Sequence, residues 1–170
     1  WSRSALHGMK LIQALYKEGL INEQKKNGLG FEVEKTKKTD EEVLLRNKVV
    51  DENTLFEKKS KLLNIPLQKP STQEIPLEVL ELIPEEAAVN YKMAPLFKKG
   101  NILGIGMAYP EDILAQNAIR FLAQKGNFAP EIYLISFTDL DNILKQHSNL
   151  KRETKKALEQ FGKEKNEILI

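Results

Sequence analysis

The sequence predicts an α+β fold: helical hairpin repeats followed by a small three-stranded α-β-β-α-β-α sandwich. Three observations carry this. Apolar residues up to about Leu67 recur at helical spacing, a proline cluster then interrupts the chain, and beyond it short apolar runs punctuated by glycine and proline take the length and period of strands. With 170 residues, 41% of them apolar and 29% charged, the chain falls in the range of ordinary globular proteins, one domain or two small ones. A formal net charge of +2 gives no concentrated basic character, so nucleic acid is an unexpected partner. The absence of cysteine excludes disulfides and thiolate metal sites and fits a reducing cytoplasm. No apolar run reaches the roughly 18 residues of a membrane span.

In the first region, residues 1–68, Leu11, Leu15, Val43, Leu44, Val50, Leu55, Leu62 and Leu63 mark helix faces. An internal echo links Leu15-x3-Gly19-Leu20-Ile21-Asn22-Glu23 to Leu44-x3-Lys48-Val49-Val50-Asp51-Glu52. In each copy a helix ends, an apolar pair packs, and Asn22 or Asp51 caps the next helix. Gly28 and Gly30, followed by the charged run from Glu32 to Lys38, predict a loop or a poorly formed helix between the copies. Pro66, Pro70 and Pro76 mark a linker over 69–75.

The second region, 76–148, starts with Pro84 opening a helix over Glu85–Tyr91, its two glutamates facing the positive dipole end. Met93–Lys98 and Ile102–Met107 read as strands joined by a turn at Lys99-Gly100. Leu103, Ile105 and Met107 share one face, and Gly104, Gly106 and Ala108 the other, where a helix could approach closely. That helix is expected to have Pro110 in its first turn, Leu114, Ala118, Phe121 and Leu122 along its buried stripe, and Gly126 just past its end. Ile132–Ile135 gives a third strand, and Ser136 with Asp139 opens a helix carrying Leu140, Ile143 and Leu144. Residues 149–170 form a basic, glutamate-laced helix with Thr154, Ala157, Leu158 and Phe161 on one face, read as a connection toward a missing C-terminal domain.

No catalytic residue, metal site or cofactor is predicted. The chain has no G-x-x-x-x-G-K-[ST] phosphate loop, so it lacks the backbone cradle, lysine and hydroxyl that ATP hydrolysis uses. Gly100, Gly104 and Gly106 fit neither phosphate fingerprint and are read as turn and packing positions. Gly28-Leu29-Gly30-Phe31 resembles a carboxylate-binding loop, but its helical neighbours argue against that use. His7 and His147 lack carboxylate or histidine partners at metal-ligand spacing, and His147 is placed in the last turn of its helix. The pairs Glu85-Glu86, Glu111-Asp112 and Asp139-Asp141 sit at helix starts, where capping and the dipole account for them.

Ile83-Pro84-Glu85-Glu86-Ala87-Ala88, Met93-Ala94-Pro95-Leu96 and Gly106-Met107-Ala108-Tyr109-Pro110 together resemble the N-terminal domain of the type II secretion and type IV pilus assembly ATPases, and the repeats resemble the short units that precede it. The resemblance covers about residues 9 to 147. It implies a non-catalytic docking or regulatory domain, cytoplasmic and peripheral to the inner membrane. Its implied partners are a platform protein of the pilus or secretion machine and an ATPase domain C-terminal to it. The competing implication is a cyclic di-GMP receptor module, and a third is a stand-alone adaptor of the same fold.

Some members of the family bind cyclic di-GMP through a basic-apolar-glycine triplet ahead of each turn. The remnant of such a site here is Lys10, Leu11, Leu15 and Gly19, with Ile12 where the glycine belongs and Thr39-Asp40-Glu41 at the second triplet. Lysine lacks the planar fork of arginine, isoleucine blocks close backbone approach, and Asp40 with Glu41 would repel a phosphodiester. Tyr109 replaces the aspartate usual before Pro110, removing a capping oxygen.

Overall fold

The computed structural model describes residues 11–70 and 73–168. The chain divides into two compact units, 1–67 and 68–170.

Helices make up the first unit. Residues 11–17 are helical (α1); α2 spans Glu23–Thr36, α3 Asp40–Arg46 and α4 Glu52–Leu63. Leu11, Leu15, Leu29, Val33, Val43, Leu44, Leu55 and Phe56 are buried and form its core. The predicted echo is realised bond for bond. In the first turn Leu20 N–H donates to Leu15 C=O and Gly19 N–H to Tyr16 C=O; in the second, Val49 N–H donates to Leu44 C=O and Lys48 N–H to Leu45 C=O. This is the crossed pair of bonds that closes a helix through a left-handed residue. Gly19 has φ 76° and Lys48 φ 53°. Lysine bears a steric cost of roughly 1 kcal/mol there that glycine avoids. The next helix is capped in each copy, by Asn22 Oδ1 accepting from Lys25 N–H at 2.7 Å and Asp51 Oδ1 from Thr54 N–H at 2.8 Å.

The expected loop between the copies is instead helix. Gly28 and Gly30 lie inside α2, and a Cβ at either would meet nothing within 4 Å. Leu29 and Val33, four apart, bury one stripe of α2, and that burial outweighs the roughly 1 kcal/mol per glycine that propensity alone assigns against it. Left-handed Lys37 ends the helix.

The second unit contains α5 (Leu77–Leu80), α6 (Glu85–Tyr91), β1 (Met93–Lys99), β2 (Ile102–Met107), α7 (Ile113–Gly126), β3 (Ala129–Leu134) and α8 (Phe137–Ile168). The predicted α-β-β-α-β-α order holds, preceded by the one-turn α5. Sheet order is β1-β2-β3. The first two strands pair antiparallel from Met93↔Met107 to Lys99↔Ile102, with a bulge between Pro95 and Phe97, where proline cannot donate. Strands β2 and β3 run parallel from Ile102↔Ala129 to Met107↔Leu134, so α7 serves as their crossover. Leu103, Ile105 and Met107 are fully buried in the core beside Leu80, Ile83, Ala88, Met93, Ala94 and Ile135.

Three packing expectations are corrected. A Cβ on Gly104 would lie 2.4 Å from the Phe97 ring, and one on Gly106 would lie 3.1 Å from Ile135. The small face of β2 therefore accommodates these two side chains, with Phe97 also edge-on to Tyr133, and does not receive α7. On α7 the buried residues are Ala115 and Ile119, whereas Phe121 is 64% exposed and Leu114 also faces solvent. The buried stripe is thus rotated by about one position; the helix also starts later than read, at Ile113 and not Pro110, capped by Asp112 Oδ1 accepting from Leu114 N–H at 3.0 Å. At its far end Gly126 is still helical and Asn127 supplies the left-handed cap. Phe121→Ala is accordingly expected to change stability by less than about 0.5 kcal/mol, while Ile119→Ala costs about 2–5 kcal/mol. Urea titrations of the two variants check the contrast.

The C-terminal helix begins as expected, with Ser136 Oγ accepting from Asp139 N–H at 3.2 Å. It then continues without a break to Ile168. His147 thus lies in mid-helix, buried, and not in a last turn. Every residue from Lys151 to Asn166 is exposed. Ahead of the sheet, Gln68 N–H donates to Leu134 C=O at 2.9 Å, and the Ile75 carbonyl accepts from Gln146 Nε2 at 3.1 Å.

Candidate functional site

The residues singled out in the first repeat lie at the described start of the chain. Lys10 and His7 fall outside the described residues. Leu11, Ile12 and Leu15 are all buried in the helical core, so their side chains serve packing. Gly19 stands at the left-handed turn that ends α1, and Leu20 beside it is exposed.

The second triplet takes an unexpected form. Thr39 caps α3: its Oγ1 accepts from Glu42 N–H at 3.3 Å and Glu42 Oε2 accepts from Thr39 N–H at 3.2 Å, a reciprocal capping box. Asp40 and Glu41, expected to present negative charge to a ligand, are instead 0% and 1% exposed. Lys59, on α4 and 2% exposed, places its ammonium 2.8 Å from Glu41 Oε1. Asp40 Oδ2 accepts from Ile12 N–H at 3.2 Å, tying α1 to α3. Burial pushes the Asp40 carboxyl up to about 8, with the Ile12 N–H opposing, Glu41 adding and Lys59 again opposing.

The sequence reading missed Lys59. Leu55, Phe56, Lys59 and Leu63 follow helical spacing, so the lysine lies on the stripe that Leu55 and Phe56 bury, while Leu62 faces outward. A lone charge on an apolar stripe, with two acidic residues at a neighbouring helix start, was the available signal.

Two shallow grooves lie at the repeat turns. One, of about 320 Å³, is lined by Asn22, Lys25, Gly28, Leu29, Glu32 and Asn47 among others; the second, of about 360 Å³, includes Leu20, Ile21, Lys25, Lys48 and Val49. Glu32 is engaged there, its Oε2 accepting from Asn47 Nδ2 at 2.9 Å. Among the described residues there is no group of three histidine, cysteine or acidic side chains that could hold a metal ion. Nor is any helix long and apolar enough to cross a membrane. The acidic pairs at helix starts behave as read: Glu85 and Glu86 occupy the first turn of α6 and Asp112 caps α7.

The model of the MshEN domain family matches residues 63–154, more than half of the chain. The chain belongs to the MshEN domain family. Its fold is also that of two solved proteins. One is MshE, determined with cdg, with a TM-score of 0.67 at 21% identity, covering 81% of this chain and 98% of that one. The other is the N-terminal domain of XpsE, with a TM-score of 0.63 at 17% identity, covering 86% and 97%. No curated protein sequence matches significantly. The resemblance drawn from Ile83 to Pro110 thus holds at the level of the domain: the chain carries an MshEN domain and has the fold of the MshE and XpsE N-terminal structures.

Proposed function

We propose that this MshEN domain is a non-catalytic docking and regulatory module, coupling a type IV pilus assembly or type II secretion ATPase to a platform protein at the inner membrane. The observation that carries the reading is the fate of the second triplet. Where a dinucleotide receptor needs a cation and close backbone approach, this chain has Asp40 and Glu41 folded into its interior against Lys59. The sheet unit, by contrast, keeps a complete core from Ile75 to Ile143, and a partner could recognise its surface without any ligand. The chain's lack of a phosphate loop supports placing ATP turnover elsewhere in the motor.

The test is binding of the whole chain to the purified cytoplasmic part of the cognate platform protein, followed by biolayer interferometry without nucleotide. Saturable binding is expected. Binding that appears only when cyclic di-GMP is added would favour the second reading, a receptor module, which the MshE structure determined with cdg brings into consideration.

A further inference from the structure

We propose that the buried cluster of Asp40, Glu41 and Lys59 is a proton-operated latch, in which protonated Asp40 leaves the cluster's charges balanced and lets α1, α3 and α4 stay closed over it, and loss of its proton buries an unbalanced charge that favours their opening. The charges do not balance within the cluster. Two carboxylates and one ammonium, each almost wholly buried, leave one negative charge in a medium that solvates it poorly. Lys59 forms an ion pair with Glu41 at 2.8 Å, and burial outweighs its attraction at Asp40, so Asp40 is the carboxyl that takes a proton. Its Oδ2 accepts the Ile12 N–H at 3.2 Å. Asp40 Oδ1 and both Glu41 oxygens are buried without a hydrogen-bond partner, the Lys59 contact to Glu41 Oε1 being an ion pair only.

Among the described residues, the charged groups acting on Asp40 are Glu41 of α3 and Lys59 of α4, and α1 contributes the Ile12 amide. Glu32 of α2 is engaged at the opposite end of α3 with Asn47 and Arg46. The Ile12 N–H favours the ionised carboxyl and does not itself release α1; the cost lies in the unbalanced charge, and because Ile12 adjoins Leu11 and lies one turn from Leu15, both core residues, opening α1 to hydrate that charge also opens an apolar face. The pH direction follows from the raised proton affinity. Between the ordinary carboxylate value of 3.8 and about 8, the folded unit binds a proton that the unfolded chain does not. Stability is therefore highest at the acid end of that window, falls as pH rises, and levels off above about 8.

Denaturant unfolding of the whole chain, followed in the helical unit from pH 5 to 9.5, tests the latch. The folding equilibrium constant of that unit should fall by up to about tenfold per pH unit below pH 8 and then flatten, and Ile12 amide exchange should accelerate more steeply than hydroxide catalysis alone requires. Asp40→Asn should remove both effects. Glu41→Gln gives an independent check should Asp40→Asn fail to fold: with Glu41 neutral, Lys59 balances Asp40, and the fall should shift to lower pH. Carbon-13 spectra of aspartate-labelled chain should show one carboxyl titrating above pH 7. The proposal is overturned if no aspartate titrates above pH 7, or if wild type and the folded variants share one pH profile.

Discussion

Lys59→Met is expected to destabilise the helical unit by about 3–5 kcal/mol, because it removes one partner of a fully buried ion pair and leaves the other charge uncompensated. Methionine keeps most of the aliphatic stem, so the loss reports the charge more than the volume. The ammonium lies 2.8 Å from Glu41 Oε1, and Glu41 is 1% exposed. Water cannot replace it without opening the core. A urea titration monitored in the helical unit measures the cost. The double variant Lys59→Met with Glu41→Gln should recover a substantial part of it, since both charges are then gone and the two sites are in contact. A loss below about 1 kcal/mol in the single variant would mean that the pair is solvated and not internal.

Ile105→Ala is the second large effect, about 2–5 kcal/mol through lost burial and the cavity left behind. Ile105 is fully buried on the central strand, paired to Pro95 on one side and Ile132 on the other. Neighbours on both sides are fixed by the ladder, so the space cannot readily collapse. Ile102, at the exposed start of the same strand, gives the control: its truncation should cost about 1 kcal/mol or less. Domains of this kind have only about 5–15 kcal/mol of stability, so Ile105→Ala endangers the unit as a whole.

The sheet was largely legible because its signals are local. Pro84 opens α6, Gly100 at φ 61° turns the hairpin, and alternation places Leu103, Ile105 and Met107 inward. What the small residues face was not legible. Gly104 and Gly106 announce a close approach but not by what, and the occupants, Phe97 and Ile135, come from the neighbouring strand and the residue after β3. The one-position rotation of α7 was not legible either, since Leu114, Ala115, Ala118, Ile119 and Leu122 offer two overlapping apolar stripes and tertiary packing chooses between them. Packing buries Ala115 and Ile119 and leaves Leu114 and Phe121 exposed.

At the site, the turns could be read to the residue because the echo of Gly19 by Lys48 and of Asn22 by Asp51 is a backbone pattern. The fate of Asp40 and Glu41 could not be read from α3 alone. Acidic residues in a first helical turn usually face solvent, and their burial depends on a cation supplied from α4. That pairing is tertiary, and only the position of Lys59 on an apolar stripe hinted at it.

Isothermal titration of the whole chain with cyclic di-GMP asks whether the second repeat is closed to a dinucleotide, as a domain that acts by docking requires. No binding tighter than the high-micromolar range is expected, roughly 5 kcal/mol of affinity. A saturable low-micromolar isotherm, weakened by substitution at Lys10 or Gly19, would contradict it.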